Sequence, residues 1–334
     1  MSRSRRMTAP LALAAVSALL LAGCSSSASE ADTSESGATT ITVGIAPWIG
    51  YGALWVAEEQ GYFEEAGLDV EFETFNTDRD KASAFISGQL DVTTVASQTL
   101  LQLAEEGVDM TAFYVLDTSL QADSVLAGPD ITSFADLKGK KLAWEEGSPS
   151  DLLIHWALRE YGMTDADVEK IPMDANSAGT ALIAGQVDGA GTYEPYITEV
   201  KTKNAGIHAV VTAAEAEGII SDVLLVKNEW AEKNADTLTA LVSAIGKAAD
   251  YYASEPEAAQ QIIADALETP LEELATSFAG VEIYSLEANK ELLSGSFITS
   301  GLPIVEQASI DAGLIKGGSD LASLVNSTFV NAAK

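Results

Sequence analysis

Cysteine and histidine are nearly missing from this chain: 334 residues hold one Cys and two His. That excludes a disulfide framework and a Cys/His zinc cluster, and it leaves little material for a His-centred catalytic site. Basic residues are also scarce, 18 Lys plus Arg against 50 Asp plus Glu, for a formal net charge of -32. A partner held by phosphate charge, nucleic acid above all, is therefore disfavoured. No apolar run reaches the roughly 20 residues of a membrane-spanning helix. What is present is ample apolar material, 47% of the chain, enough for one large domain or two medium ones.

The N-terminus reads as an export signal. Arg3, Arg5 and Arg6 precede an apolar run over residues 11–22, too short to span a bilayer. The run ends in Leu21-Ala22-Gly23-Cys24. That sequence resembles the lipobox of bacterial lipoproteins, in which the cysteine is lipidated and becomes the first mature residue. Residues 24–40, rich in Ser, Ala, Thr and Glu, have the composition of a flexible tether. The expectation is an exported domain, lipid-anchored through Cys24 to the outer face of the cell membrane. Residues 1–23 carry three arginines and no acid, so the acidity belongs to that exported part.

From residue 41 onward, short β-branched runs alternate with amphipathic helical stretches, which predicts an α/β fold with mostly parallel sheets. Strands are expected at 41–46, 68–75 and 91–95, and helices at 51–60 and 81–87. The pattern then returns. Residues 84–91 and 181–188 share Ala, Ile, Gly-Gln and Asp at a constant offset of 97, and Asp69-Val70-Glu71 recurs as Asp167-Val168-Glu169. Two copies are too few for a solenoid and predict two similar lobes, each flanked by helices. After a strand at 223–226, a continuous helix is expected from an Asn228 cap to about residue 254, and a helical tail that completes the first lobe.

Loops that leave the C-terminal ends of such strands line ligand clefts. They supply Trp48, Tyr51 and Ser97 from the first lobe, and Trp144, Glu145, Glu146, Ser148, Ser150, Tyr193 and Glu194 from the second. Asp117, Ser119 and Asp123 lie near the crossing between them. Trp55, one helical turn beyond Tyr51, suits the core. Ser148, Ser150 and Asp151 suit a helix cap as well as a ligand contact. His155 and His208 are unaccompanied in sequence, as structural histidines would be.

The ordered set Gly50-Tyr51, Glu58-Glu59-Gln60-Gly61-Tyr62-Phe63, Gly67-Leu68-Asp69-Val70, Ser87-Gly88-Gln89-Leu90-Asp91, residues 135–141 (ADLKGKK), and Gly185-Gln186-Val187-Asp188 with Tyr193-Glu194-Pro195 resembles a family. It is that of the substrate-binding lipoproteins of ABC importers, in the nitrate, sulfonate and taurine branch that includes thiamine-pyrimidine precursor binders. The resemblance implies a two-lobed type II periplasmic-binding fold, with lobes at 41–124 plus 222–334 and at 125–221. It also implies a small-molecule ligand, ABC permease subunits as partners, no cofactor and no catalysis; a monomer is expected.

The aromatic and carboxylate lining favours a nitrogen-rich, cationic or neutral ligand of guanidinium or amine type. An aliphatic sulfonate, taurine, nitrate or a thiamine-pyrimidine precursor is the alternative, and a lipid-anchored sensor needs the same closing cleft.

Overall fold

The structure is a computed structural model that describes residues 37–216 and 218–334. The signal segment, Cys24 and most of the expected tether lie outside the described residues. The tether is shorter than expected, because Thr39 and Thr40 already pair with Leu68 and Asp69 in a sheet. Among the described residues no helix is long and apolar enough to cross a membrane.

Among the described residues, eleven strands form two sheets. The first contains β1 (Thr39–Ile45), β2 (Leu68–Thr74), β3 (Val92–Ala96), β4 (Met110–Ser119), β10 (Ser221–Lys227) and β11 (Val281–Ile283), in the order β11-β4-β10-β3-β1-β2. The second contains β5 (Asp123–Ala127), β6 (Lys141–Trp144), β7 (Glu169–Pro172), β8 (Gly189–Tyr193) and β9 (His208–Thr212), in the order β7-β6-β8-β5-β9.

The expected two-lobed α/β architecture is present, but the sheets are mixed rather than mostly parallel. Pairs β1·β2, β1·β3, β6·β7 and β6·β8 are parallel, as βαβ crossovers demand. Strands β10 and β5 each arrive from the opposite lobe and enter antiparallel to both neighbours. Each lobe thus receives one strand by exchange, and the two connections reach the cleft at 120–122 and 218–220.

The sequence repeat has a physical meaning in this topology. Gly88 and Gly185 take φ of 84° and 66° to turn the chain out of a helix, a conformation that suits glycine. The Asp three residues later then fastens the incoming strand to its neighbour. Asp91 accepts the Thr42 N–H at 2.9 Å, and Asp188 accepts the Lys141 N–H at 2.9 Å.

The C-terminal part departs from expectation in two ways. The expected single helix from residue 228 to 254 is two, Asn228–Lys233 and Ala235–Ser254, separated at Asn234. Asn228 is not the cap; its amide donates to Asp109 Oδ1 at 2.6 Å. The tail also does more than complete the first lobe with helices. It adds β11 to the sheet edge, and buried Asn289 bonds both the N–H and the C=O of Val115. Its helix Leu302–Asp311 packs on Ser97–Glu105 of the first lobe and on Pro149–Glu160 of the second, where Asp311 pairs with Arg159. An amphipathic helix can satisfy two apolar partners at once when it lies across their junction.

Candidate functional site

Between the facing ends of β1, β3, β10 and of β5, β8 lies a cavity of about 30 Å3. Its walls are Trp48, Tyr51 and Tyr193, with Pro149 and Ile220, and its polar lining is three carboxylates, Asp78, Asp123 and Asp222. Both lobes contribute. Trp48 meets Tyr193 edge to face across the cleft, ring centroids 5.7 Å apart.

The first-lobe wall is built by a short loop. After β1, Trp48 leads into a tight 3-10 turn, Ile49–Tyr51, and then the helix Gly52–Glu59. The Trp48 indole N–H donates to both carboxylate oxygens of Asp117, at 3.2 Å each. Gly50 makes this possible: a Cβ there would lie 2.2 Å from the indole nitrogen and 2.4 Å from the Asp117 carboxyl. Gly50→Ala is expected to destabilise the domain by about 1–3 kcal/mol through overpacking and to move the Trp48 ring. Thermal melting and near-UV circular dichroism check this; an unchanged Trp signal and melting point would show that the loop absorbs the methyl.

Acid crowds this space. Asp117 is fully buried, and Asp123 and Asp222 nearly so. Burial pushes the Asp117 carboxyl well up, assisted by the charge of Asp222. Burial likewise raises Asp222. It lifts Asp123 to about 7, with Ser119 opposing and Asp78 and Glu194 adding to the rise. Asp123 Oδ2 and the Ser119 hydroxyl are buried beside one another, and neither has a further hydrogen-bond partner. Lys81 is the one fully buried lysine or arginine among the described residues. Its ammonium lies 3.1 Å from Asp78 and 5.7 Å from the centre of the Tyr51 ring. One cation thus faces four acids.

The other sequence-chosen residues are placed around this cavity rather than in it. Ser97 bonds Ser221 across β3 and β10, its hydroxyl 2.9 Å from the Ser221 carbonyl. Ser148 caps the helix Pro149–Glu160, with Pro149 in its first turn. Ser150 is buried in that turn, packed below Gly191. Trp144 is buried, donates its indole N–H to Asp151, and has the Lys170 ammonium 4.5 Å above its ring. Glu146 is half exposed and pairs with Lys170 at 2.8 Å. Trp55 is in the core, as its spacing suggested.

Two glutamates instead join the lobes. Glu145 accepts the Asp78 N–H at 2.8 Å, closing the first turn of the helix Asp78–Ser87 from the opposite lobe. Burial, with the charge of Asp78, lifts its carboxyl to about 7. Glu194 accepts the Thr198 N–H at 3.0 Å and the Ser277 hydroxyl at 2.9 Å.

His155 is not unaccompanied, since its ring lies 3.3 Å from Asp151 and 3.2 Å from Asp165. Its pKa is raised, the Asp151 hydrogen bond being the main cause. Among the described residues no group of three or more His, Cys, Asp and Glu is placed to hold a metal ion.

Asp222 and Asp78 line the cavity and were not among the sequence candidates. Asp222 carries one readable signal, an acid at the mouth of the apolar run Val223-Leu224-Leu225-Val226. Asp78 sits in an acidic helix start that reads equally well as solvated surface.

Comparison with known proteins gives consistent results. A model of the NMT1/THI5 like family matches residues 48–259. A putative binding protein of Brucella abortus is 28% identical over 234 residues, 70% of this chain and 72% of the relative. Among solved structures, the periplasmic aliphatic sulphonate binding protein SsuA from Escherichia coli superposes with a TM-score of 0.69 at 18% identity, covering 85% of this chain and 91% of that one. The periplasmic nitrate-binding protein NrtA from Synechocystis gives 0.71 at 15% identity, with 88% of each chain covered.

Proposed function

Since the chain belongs to the NMT1/THI5 like family and has the two-lobed fold of periplasmic binding proteins, we propose that it is the extracytoplasmic solute receptor of an ABC importer. The lobes, divided near residues 122 and 220, close on a small solute, and the closed form docks on permease subunits. Cys24 carries the lipid anchor. Closure needs only that ligand contacts in the closed state outweigh those in the open state by about 3–5 kcal/mol. A ligand touching Asp78 and Asp222 from one side and Asp123 and Tyr193 from the other has that differential built in.

The proposed ligand is a compact nitrogenous cation that carries N–H groups, such as guanidinium or a small primary amine. The observation that carries this reading is Asp123 Oδ2, a buried carboxylate oxygen answered by the Ser119 hydroxyl and by no cation, beside a cavity walled by three aromatic rings. An N–H donor satisfies that oxygen, whereas a quaternary ammonium cannot. The rings add roughly 0.5–2 kcal/mol for a cation.

The anions named for the two structural neighbours suit this lining poorly. Each ionised carboxylate about 4 Å from an anion costs on the order of 4 kcal/mol at an effective dielectric of about 20. The cavity, near the room needed by about two waters, also disfavours an alkanesulfonate by size, whereas nitrate, equal to guanidinium in shape, is disfavoured by charge alone. Calorimetry on the intact exported domain is expected to show guanidinium or methylammonium binding and no heat with taurine, an alkanesulfonate, nitrate or a pyrimidine precursor. Selective binding of a sulfonate would overturn the cationic reading and leave the receptor role intact.

A further inference from the structure

The carboxylates of the cavity outnumber what a single small cation can neutralise. Asp117 and Asp222 are partners across the antiparallel pair β4·β10, and both are buried. Asp123 approaches them from the start of β5, in the other lobe. The helix Asp78–Ser87 offers Asp78 and Lys81, and their ion pair sets one carboxylate against the one buried ammonium. The 3-10 turn and β8 present Tyr51 and Tyr193, whose phenols burial holds well above their ordinary pKa, so both are neutral walls. Glu145 and Glu194 add negative charge from the second lobe but are engaged by Asp78 N–H, Thr198 N–H and the Ser277 hydroxyl. The Trp48 indole donates to Asp117, and the trio Asp117, Asp123 and Asp222 is answered only by Lys81, which is already paired with Asp78 and whose charge reaches Asp222.

Three ionised carboxyls in one desolvated space, facing a single ammonium already paired with a fourth acid, is a prohibitive arrangement. Carboxyls so placed keep a proton among them until a positive charge arrives, and their titration belongs to the group rather than to one residue. We propose that this site takes up its cation in exchange for a proton: with the cleft empty, at least one proton is held within the Asp117, Asp123 and Asp222 cluster, and it leaves for solvent as the cation enters. The proposal rests on the cationic reading of the site.

The balance is simple. One carboxyl O–H bond breaks, the proton passes to the buffer, and the charge of the cation takes its place, so the cavity keeps its net charge. The exchange falls in the neutral range because burial raises all three acids, Asp123 to about 7. A receptor of this kind holds its solute more tightly in mildly alkaline surroundings and releases it more readily where protons are plentiful.

Calorimetry of guanidinium binding to the intact chain at pH 7, in phosphate and in Tris, reads the proton directly. The two heats are expected to differ in proportion to the protonation heats of the buffers, giving about half to one proton released, with affinity rising up to about tenfold per pH unit between pH 6 and 8. Asp222→Asn is expected to bring the proton count toward zero. Should that variant fail to fold, the infrared carbonyl band of a protonated carboxyl in the wild-type chain, expected to disappear on adding guanidinium, carries the same test. Binding with equal heats in both buffers and a pH-independent Kd overturns the exchange while the cationic reading stands. Failure of guanidinium, methylammonium and ethylammonium to bind at any pH overturns the cationic reading itself.

Discussion

Asp123→Asn is expected to weaken guanidinium binding by about 100-fold and, in the same protein, to raise the melting temperature of the ligand-free domain. The affinity loss follows from geometry: the Oδ2 atom, buried and answered only by the Ser119 hydroxyl, is an acceptor beside the cavity that no cation neutralises. A charge-assisted bond to such an atom is worth about 1.5–3 kcal/mol, and asparagine keeps the shape while removing the charge. The gain in stability has the opposite cause. A buried carboxylate facing Asp78 and Glu194 is costly until a ligand arrives, and the neutral amide lifts that cost, as expected where stability is given up for function. Calorimetry and a melting curve on the one variant measure both. Unchanged affinity would take Asp123 out of the site, and a lowered melting temperature would contradict the electrostatic account.

The ligand-free domain is expected to become more stable as the pH falls from 8 to about 5, the reverse of ordinary acid denaturation. A carboxyl whose folded pKa lies above its unfolded value binds more protons when folded, so stability falls as pH rises between the two values and levels off above. For Asp123 the window runs from the usual carboxylate range, near 3.8, up to about 7. Acting alone it is worth on the order of 4 kcal/mol.

Asp117, Asp222, Glu145 and Glu194 are all raised, chiefly by burial, and act in the same sense. His155 joins them: its raised pKa contributes stability that is present below its unfolded value and lost as pH rises through the folded one. Asp151 opposes, its carboxyl held down by His155, Gly147 and Trp144 against the effect of burial. Its contribution is lost as pH falls below the carboxylate range. Stability therefore rises down to at least pH 5, with a melting temperature there roughly 5–10 °C above that at pH 8. Below that it is opposed by Asp151 and by the surface acids Glu105, Asp136 and Asp167, whose carboxyls hydrogen bonds hold down. Differential scanning calorimetry across pH 4–9 decides it, and a flat or rising profile toward alkaline pH would remove the buried-acid explanation. Saturating guanidinium is expected to lift the alkaline side most, because the cation supplies the charge that protonation otherwise provides.

Some of this molecule was legible in its residues. The octets around Gly88 and Gly185 announced two equivalent lobes, because a left-handed glycine followed by an Asp that fastens the next strand is a local device needing the same residues wherever it recurs. Trp48 and Tyr51 were readable as cleft aromatics from the Pro and Gly around them, and both line the cavity. Glu145 and Glu194 were readable as cleft carboxylates from their loops, yet they close a helix end and bond Ser277 across the lobes. Asp78 was not readable, and Asp222 only as an acid at the mouth of an apolar run.

The difference has one cause. Secondary-structure period, glycine turns and apolar runs are decided by neighbours in the chain, so the sequence alone determined the α/β class, the duplicated lobe and the acid excess. Which acids face one another is decided by contacts between residues far apart in sequence. Strand β10 returns from the second lobe to lie against β4, and that exchange alone sets Asp222 opposite Asp117, with Asp123 entering from β5. Only the tertiary structure turned a bulk charge of -32 into a small desolvated cavity with more carboxylates than cations, because burial and proximity, not composition, fix what a charge costs.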